Sequence, residues 1–149
     1  DEVAGSFKDV TLRRYHVDAL AARMVTHPDT LDVIVASNLF GDILTDLGAA
    51  ISGSLGVAAS GNLNPTRVSP SMFEPIHGSA PDIAGRGIAN PIGAVWAGAM
   101  MLEYLGEQTA AKRVIRAIET VTSKGKVRTP DLGGSASTSD MTRALVDAL

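Results

Sequence analysis

The sequence predicts an α/β fold, and three observations point to it. A β-branched apolar run, Asp32 to Ala36, leads through a Ser-Asn turn into a helical apolar pattern. A long Gly- and Pro-rich loop, Phe73 to Pro91, opens directly onto a second helix start. The composition, 45% hydrophobic with only 4% aromatic, suits an Ala/Val/Leu-rich α/β protein, and 149 residues are enough for one ordinary domain with a core.

Taken in order, Asp32-Val33-Ile34-Val35-Ala36 reads as a strand, and Ser37-Asn38-Leu39-Phe40-Gly41 as the turn into a helix. In that helix Leu39, Ile43, Leu47 and Ile51 recur four apart with Leu44 beside them, a face expected to pack inward. Ser52 to Pro70 has too little apolar periodicity for a long element; short strands are expected at Leu55 to Ala58 and Met72 to Glu74. Asn90 suits an N-cap and Pro91 the first position of a helix reaching Leu105, where Gly106 stops it. Being apolar nearly all round, that helix is expected to be buried, with Trp96, Met100 and Met101 in the core. Thr109 to Lys124 reads as an amphipathic helix that buries Val114, Ile118 and Val121 and ends at Gly125. The loop Arg128 to Ala136 reads as a connection. The last helix is capped by Thr138 or Ser139 and aligns Met141, Leu145 and Leu149.

Charge and composition exclude several classes. A net charge of −3 with no basic block argues against a nucleic-acid partner. The most apolar helix, Ile92 to Leu105, is too short and too rich in Ala and Gly to span a bilayer, so no membrane association is expected. The chain has no Cys, which rules out a disulfide framework or a zinc-thiolate site and is consistent with a cytoplasmic location. No GxxxxGK[ST] sequence occurs, so a P-loop nucleotide hydrolase is excluded.

The loop Phe73 to Pro91 is the first candidate site. Gly78, Gly85 and Gly87 permit positive φ, while Pro75, Pro81 and Pro91 stiffen the path between them. The helix start at Asn90-Pro91 presents backbone N–H groups and a positive dipole end, which favour a phosphate or another anion. His77 and Asp82 would flank that anion, and the carboxylate suits a ribose diol but repels a second phosphate. The run His77-Gly78-Ser79-Ala80-Pro81-Asp82, followed by Gly85 and Ala89-Asn90-Pro91, resembles the nicotinamide-dinucleotide loop of the β-decarboxylating dehydrogenases. That family includes isopropylmalate, isocitrate, homoisocitrate and tartrate/D-malate dehydrogenases. The resemblance implies that His77, Gly78, Ala80, Asp82 and Asn90 hold the cofactor. It implies NAD in particular, because NADP-using members carry a Lys-Tyr type replacement at the Asp82 position. Glu74, just before the loop, is placed either toward the nicotinamide end or as an exposed structural residue.

The second candidate site is the acid pair Asp42 and Asp46. At i and i+4 their carboxylates project side by side, with Cβ atoms about 5–6 Å apart. Like charges so placed repel, and a divalent cation offsets that repulsion; ligands that are all oxygen suit Mg²⁺ or Mn²⁺. On their own, two acids on a solvated helix face carry little weight. Asn38-Leu39-Phe40-Gly41-Asp42-Ile43-Leu44-Thr45-Asp46, however, resembles the metal-binding helix of the same family. Tyr15-His16-Val17-Asp18-Ala19 resembles the segment that carries its third metal carboxylate. The resemblance implies that Asp18 serves the metal of a neighbouring subunit, and hence a homodimer with shared active sites. His16 is taken as a strand residue and His27 as surface loop.

The resemblance runs along essentially all of the chain. It implies the carboxyl-terminal part of an isopropylmalate/isocitrate dehydrogenase-like fold, with a Rossmann-like parallel or mixed sheet and packed helices. By analogy residues 1–52 end the central substrate, metal and dimerisation domain, and residues 53–149 form the returning half of the NAD-binding outer domain. The chain opens on Asp1-Glu2-Val3 rather than Met and has no match for the family's substrate-clamping arginines or catalytic Tyr and Lys. It is therefore expected to be part of a longer enzyme and inactive alone. The implied reaction is NAD-dependent, metal-assisted oxidation and decarboxylation of a 2-hydroxy dicarboxylic acid. Ala36 to Phe40 and Ala89 to Leu102 resemble tartrate/D-malate dehydrogenases somewhat more than 3-isopropylmalate dehydrogenase, which stays open as an alternative. A non-catalytic, truncated metal- or nucleotide-binding module is the alternative of another class.

Overall fold

The computed structural model describes residues 3–149. The chain divides into two compact units between Gly48 and Ala49. The sequence places a boundary at 52, whereas the division falls inside a helix.

The first unit contains helix α1 (Val17–Thr26) and most of α2 (Asn38–Ile51). His16 is the N-cap of α1 rather than a strand residue, with an extended backbone at φ −69° and ψ 149°. The expected strand at 32–36 is absent: strands exist by pairing, and this run has no ladder partner among the described residues. Val35 remains 93% exposed. The expected inward face of α2 is also corrected. Leu44 is buried, but Leu39, Ile43 and Ile51 are exposed, as is Phe40. The buried side is instead the one where Gly48 lies 3.4 Å, measured from an ideal Cβ, from Met24 Cε.

The second unit holds strands β1 (Ala59–Asn62) and β2 (Met72–Pro75) and helices α3 (Ile92–Tyr104), α4 (Gln108–Lys124) and α5 (Thr138–Asp147). The two strands pair antiparallel, with Ala59 opposite Pro75 and Asn62 opposite Met72. Among the described residues this hairpin is the whole sheet, since Leu55–Val57, expected in a strand, forms a 3-10 turn. Helix α3 packs on the hairpin and on α4. Its N-terminal Ile92 enters a core with Ile118, Val121, Met141 and Leu145, ringed by Val57, Val95, Val114 and Val127. Gly125 ends α4 with φ 59°, as its position predicts.

Three details differ from expectation. Trp96 is 41% exposed and lines a cleft of about 270 Å³ with Met100, Ala111 and Ile115; Met101 is exposed too. With α4 against one side only, an all-round apolar α3 cannot bury every face. Helix α5 is capped by Ser137, not Thr138 or Ser139, in a reciprocal box with Asp140. Leu149 lies beyond the end of α5 and is exposed.

Candidate cofactor and metal site

The predicted cofactor residues lie on one continuous run in the second unit. Glu74 is exposed on β2, and its register partner is Ser60. His77 follows the strand, with Nδ1 3.0 Å from Gly78 O. Gly85 and Gly87 take φ of 75° and 66°, as expected, whereas Gly78 does not adopt positive φ. Ala80 does so instead, at φ 43°. An alanine in the left-handed region is strained by about 1 kcal/mol or more, so the surrounding turn must hold it there. The turn does so through Ile83 N–H donating to Ala80 O at 3.0 Å and Arg86 N–H donating to Ile83 O at 3.1 Å. Asp82 sits on this turn, exposed.

The far end of the loop is fastened from outside. Thr138 N–H donates to Gly87 O at 2.8 Å, and Thr138 Oγ1 donates to Ala89 O at 2.6 Å, so the first residue of α5 clasps the loop. Asn90 is buried at 7% exposure. Its Oδ1 accepts from Ile92 N–H at 3.0 Å, so it binds the first turn from one residue further out than expected: the N-cap is Pro91 and the helix starts at Ile92. Its Nδ2 donates to Asp131 Oδ2 at 2.9 Å.

Asp131 is the group that sequence reasoning missed. Besides Asn90, its Oδ2 accepts from Ser54 Oγ at 2.5 Å, and Ser54 Oγ in turn accepts from Gly56 N–H at 2.9 Å. Burial acts to raise the Asp131 pKa, but hydrogen bonding to the Ser54 and Asn90 side chains outweighs it and holds the carboxyl below its ordinary value. Thr129, next but one in the chain, is fully buried, and its Oγ1 makes no hydrogen bond among the described residues. The only local signal was the Thr-Pro-Asp turn, which is shared by many ordinary connections; the partners lie 41 and 77 residues away.

A pH dependence follows. A folded-state pKa below the unfolded value means stability that is fully present above the ordinary 3.8 and lost as pH falls through the depressed value. Denaturant titrations of wild type and Asp131→Asn should therefore show a stability gap that is constant at neutral pH and narrows only below about 4. A gap that stays constant into the acid range would contradict that assignment.

The three predicted metal carboxylates all lie in the first unit. Asp42 and Asp46 are exposed on consecutive turns of α2, and Thr45 Oγ1 donates to Asp42 O at 3.0 Å. Asp18 is exposed in the first turn of α1, where its Oδ1 accepts from Ala19 N–H at 2.8 Å. Among the described residues no three His, Cys, Asp or Glu side chains gather as a metal site, so Asp18 does not join the pair. Two exposed carboxylates on adjacent turns fit a Mg²⁺ or Mn²⁺ ion that takes its remaining ligands elsewhere. A larger cavity, about 620 Å³, lies between the end of α4 and α5 beside Lys126, Arg128 and Arg143, away from the residues predicted for the cofactor.

The isocitrate/isopropylmalate dehydrogenase family matches residues 1–145, and the chain belongs to it. It is 56% identical over 148 residues to a probable tartrate dehydrogenase/decarboxylase of Agrobacterium vitis, covering 99% of this chain and 41% of that protein. It is 49% identical over 150 residues to the decarboxylating D-malate dehydrogenase of Escherichia coli K12, covering 97% of this chain and 41% of that one. The crystal structure of isocitrate dehydrogenase from Methylococcus capsulatus superposes with a TM-score of 0.93 at 44% identity, over 99% of this chain and 43% of that chain. The fold is thus that of these dehydrogenases. The chain spans about 41% of the length of the curated relatives it matches. Among the described residues no helix is long and apolar enough to cross a membrane.

Proposed function

We propose that this chain supplies the NAD-holding loop and two of the metal-holding carboxylates of a β-decarboxylating dehydrogenase acting on a small 2-hydroxy dicarboxylic acid of the tartrate or D-malate type. The observation that carries this reading is the loop from Glu74 to Asn90. Its turns are locked around Ala80, and its end is clasped by Thr138 on the side that leads into the α3 N-terminus. Relatives described as tartrate and D-malate enzymes support the substrate class.

In this reading His77, Gly78, Ala80, Asp82 and Asn90 bind NAD, with Glu74 toward its nicotinamide end. Asp82 accepts hydrogen bonds from the adenosine ribose hydroxyls and opposes a 2′-phosphate. The N-terminal end of α3 offers its dipole to the dinucleotide phosphates, the Ile92 N–H being taken by Asn90 Oδ1. Asp42 and Asp46, with Asp18 of the partner subunit, hold Mg²⁺ or Mn²⁺. When bound, the cation supplies Lewis acidity to the substrate hydroxyl and adjacent carboxylate, and NAD supplies the hydride acceptor. The exposed apolar row Leu39, Phe40, Ile43 and Ile51 of α2 supports a homodimer. Residues 1–52 then belong to the central domain and 53–149 to the cofactor domain of a cytoplasmic enzyme.

The test is a chimera in which this chain replaces the matched segment of the Agrobacterium vitis relative. The expected result is NADH and CO₂ from tartrate or D-malate with Mn²⁺ present, more slowly from 3-isopropylmalate, and none from the chain alone. A folded chimera that oxidises none of the three would contradict the proposal.

A further inference from the structure

Three segments far apart in sequence meet at one carboxylate oxygen. Asp131 Oδ2 accepts from Ser54 Oγ and from Asn90 Nδ2, and Ser54 Oγ is itself bonded by Gly56 N–H. Gly56 leaves no spare volume there: an ideal Cβ on it would lie 2.9 Å from both Asn90 Cβ and Asp131 Oδ2. The Asn90 side chain is buried, so water offers little alternative partnership.

An ionised carboxylate only accepts hydrogen bonds, so it faces the NH₂ end of a neighbouring amide and not the oxygen end. That leaves Asn90 Oδ1 turned to Ile92 N–H, the first residue of α3. With the amide reversed, two acceptors would oppose each other and the NH₂ would oppose a backbone donor. The Asp131 charge also lies near the positive end of the α3 dipole, which favours the same arrangement.

We propose that Asp131 is a positioning residue for the cofactor loop: it sets the direction of the Asn90 amide and thereby fixes the junction between that loop and the first turn of α3. It works from one side of the junction, while Thr138 holds Gly87 and Ala89 from the other. The inference rests on the NAD reading of the loop for its functional consequence, but the amide orientation stands independently of it.

The experiment uses the full 149-residue chain and the variants Asp131→Ala and Asp131→Asn. Folding is checked by circular dichroism, NADH affinity by fluorescence titration well below the melting temperature, and Ile92 N–H exchange by NMR. Asp131→Ala should weaken NADH binding and speed Ile92 exchange, each by about tenfold, the scale of one hydrogen bond to a charged group. Asp131→Asn keeps an acceptor oxygen but loses the charge, and should show a smaller but measurable loss in both, about threefold. A purely structural role would lower the melting temperature while leaving the affinity of the folded protein unchanged, and that result would overturn the proposal. If Asp131→Ala does not fold, Asp131→Asn with faster Ile92 exchange supports it, and wild-type affinity and exchange together overturn it. If wild type binds no NADH, the NAD reading fails; Ile92 exchange then decides the orientation, and unchanged exchange in the variants overturns it.

Discussion

Gly93→Ala should lower the melting temperature of the second unit sharply, although alanine is the better helix former. A Cβ at this position would lie 2.8 Å from Ala58 O and 3.0 Å from Gly56 O, with Pro75 Cβ at 3.3 Å. The first two neighbours are backbone, which cannot swing aside as a side-chain tip can. Either α3 lifts from β1 and the 3-10 turn, or those carbonyl groups move and disturb the Ser54–Asp131 link beside them. Overpacking of this kind costs about 1–3 kcal/mol, and here the clash is at the upper end. The propensity gain of alanine in a helix interior, about 1 kcal/mol, offsets only part of it. At about 4–8 °C per kcal/mol for a unit of this size, a fall of roughly 5–15 °C is expected by calorimetry. Gly98→Ala is the control on the same helix. Nothing lies within 4 Å of its Cβ position, so it should stabilise by about 0.5–1 kcal/mol. If both variants shift stability in the same direction, the close approach of α3 to Gly56 and Ala58 is not what limits position 93.

Replacing Asp42 and Asp46 together by asparagine should abolish the stabilisation that Mn²⁺ gives the protein. In the absence of a cation the two carboxylates on adjacent turns repel by about 0.2–0.5 kcal/mol, so the double variant should be no less stable than wild type. With Mn²⁺ at a hundredfold excess over its dissociation constant, wild type should gain about 2.7 kcal/mol, which the variant lacks. The two conditions separate a metal role from a structural one. A structural pair would lose stability on mutation whether or not the ion is added. Calcium is the useful comparison ion, since a site completed by ordered water and substrate oxygen favours the smaller cation.

Much of the second unit was legible in the sequence because its signals are local. Gly125 marks the end of α4, and Val121 and Ile118 its buried side. The loop proposed for the cofactor is a contiguous run, so its pattern could be read from the order of its residues alone. Signals that depend on a distant partner misled. Val33, Ile34 and Val35 have strand composition, but a strand is completed by a neighbour, and none pairs with them among the described residues. The four-residue spacing of Leu39, Ile43 and Ile51 identified an apolar face correctly but not what covers it. Ala80 could not be foreseen as the left-handed residue next to a glycine that is not, because propensity favours the reverse. Asp131 escaped notice since its identity matters only through Ser54 and Asn90, which no sequence spacing links to it.

In the proposed function the loop from Glu74 to Asn90 is built for NAD, with Asp82 selecting against a 2′-phosphate. Parallel fluorescence titrations of the chain with NADH and NADPH test it most directly. Saturable NADH binding and at least about tenfold weaker NADPH binding are expected, the scale of one unfavourable charge pair near a protein surface, with the preference collapsing in Asp82→Ala. Equal or tighter binding of NADPH by the wild-type chain, or no binding of either, would contradict it.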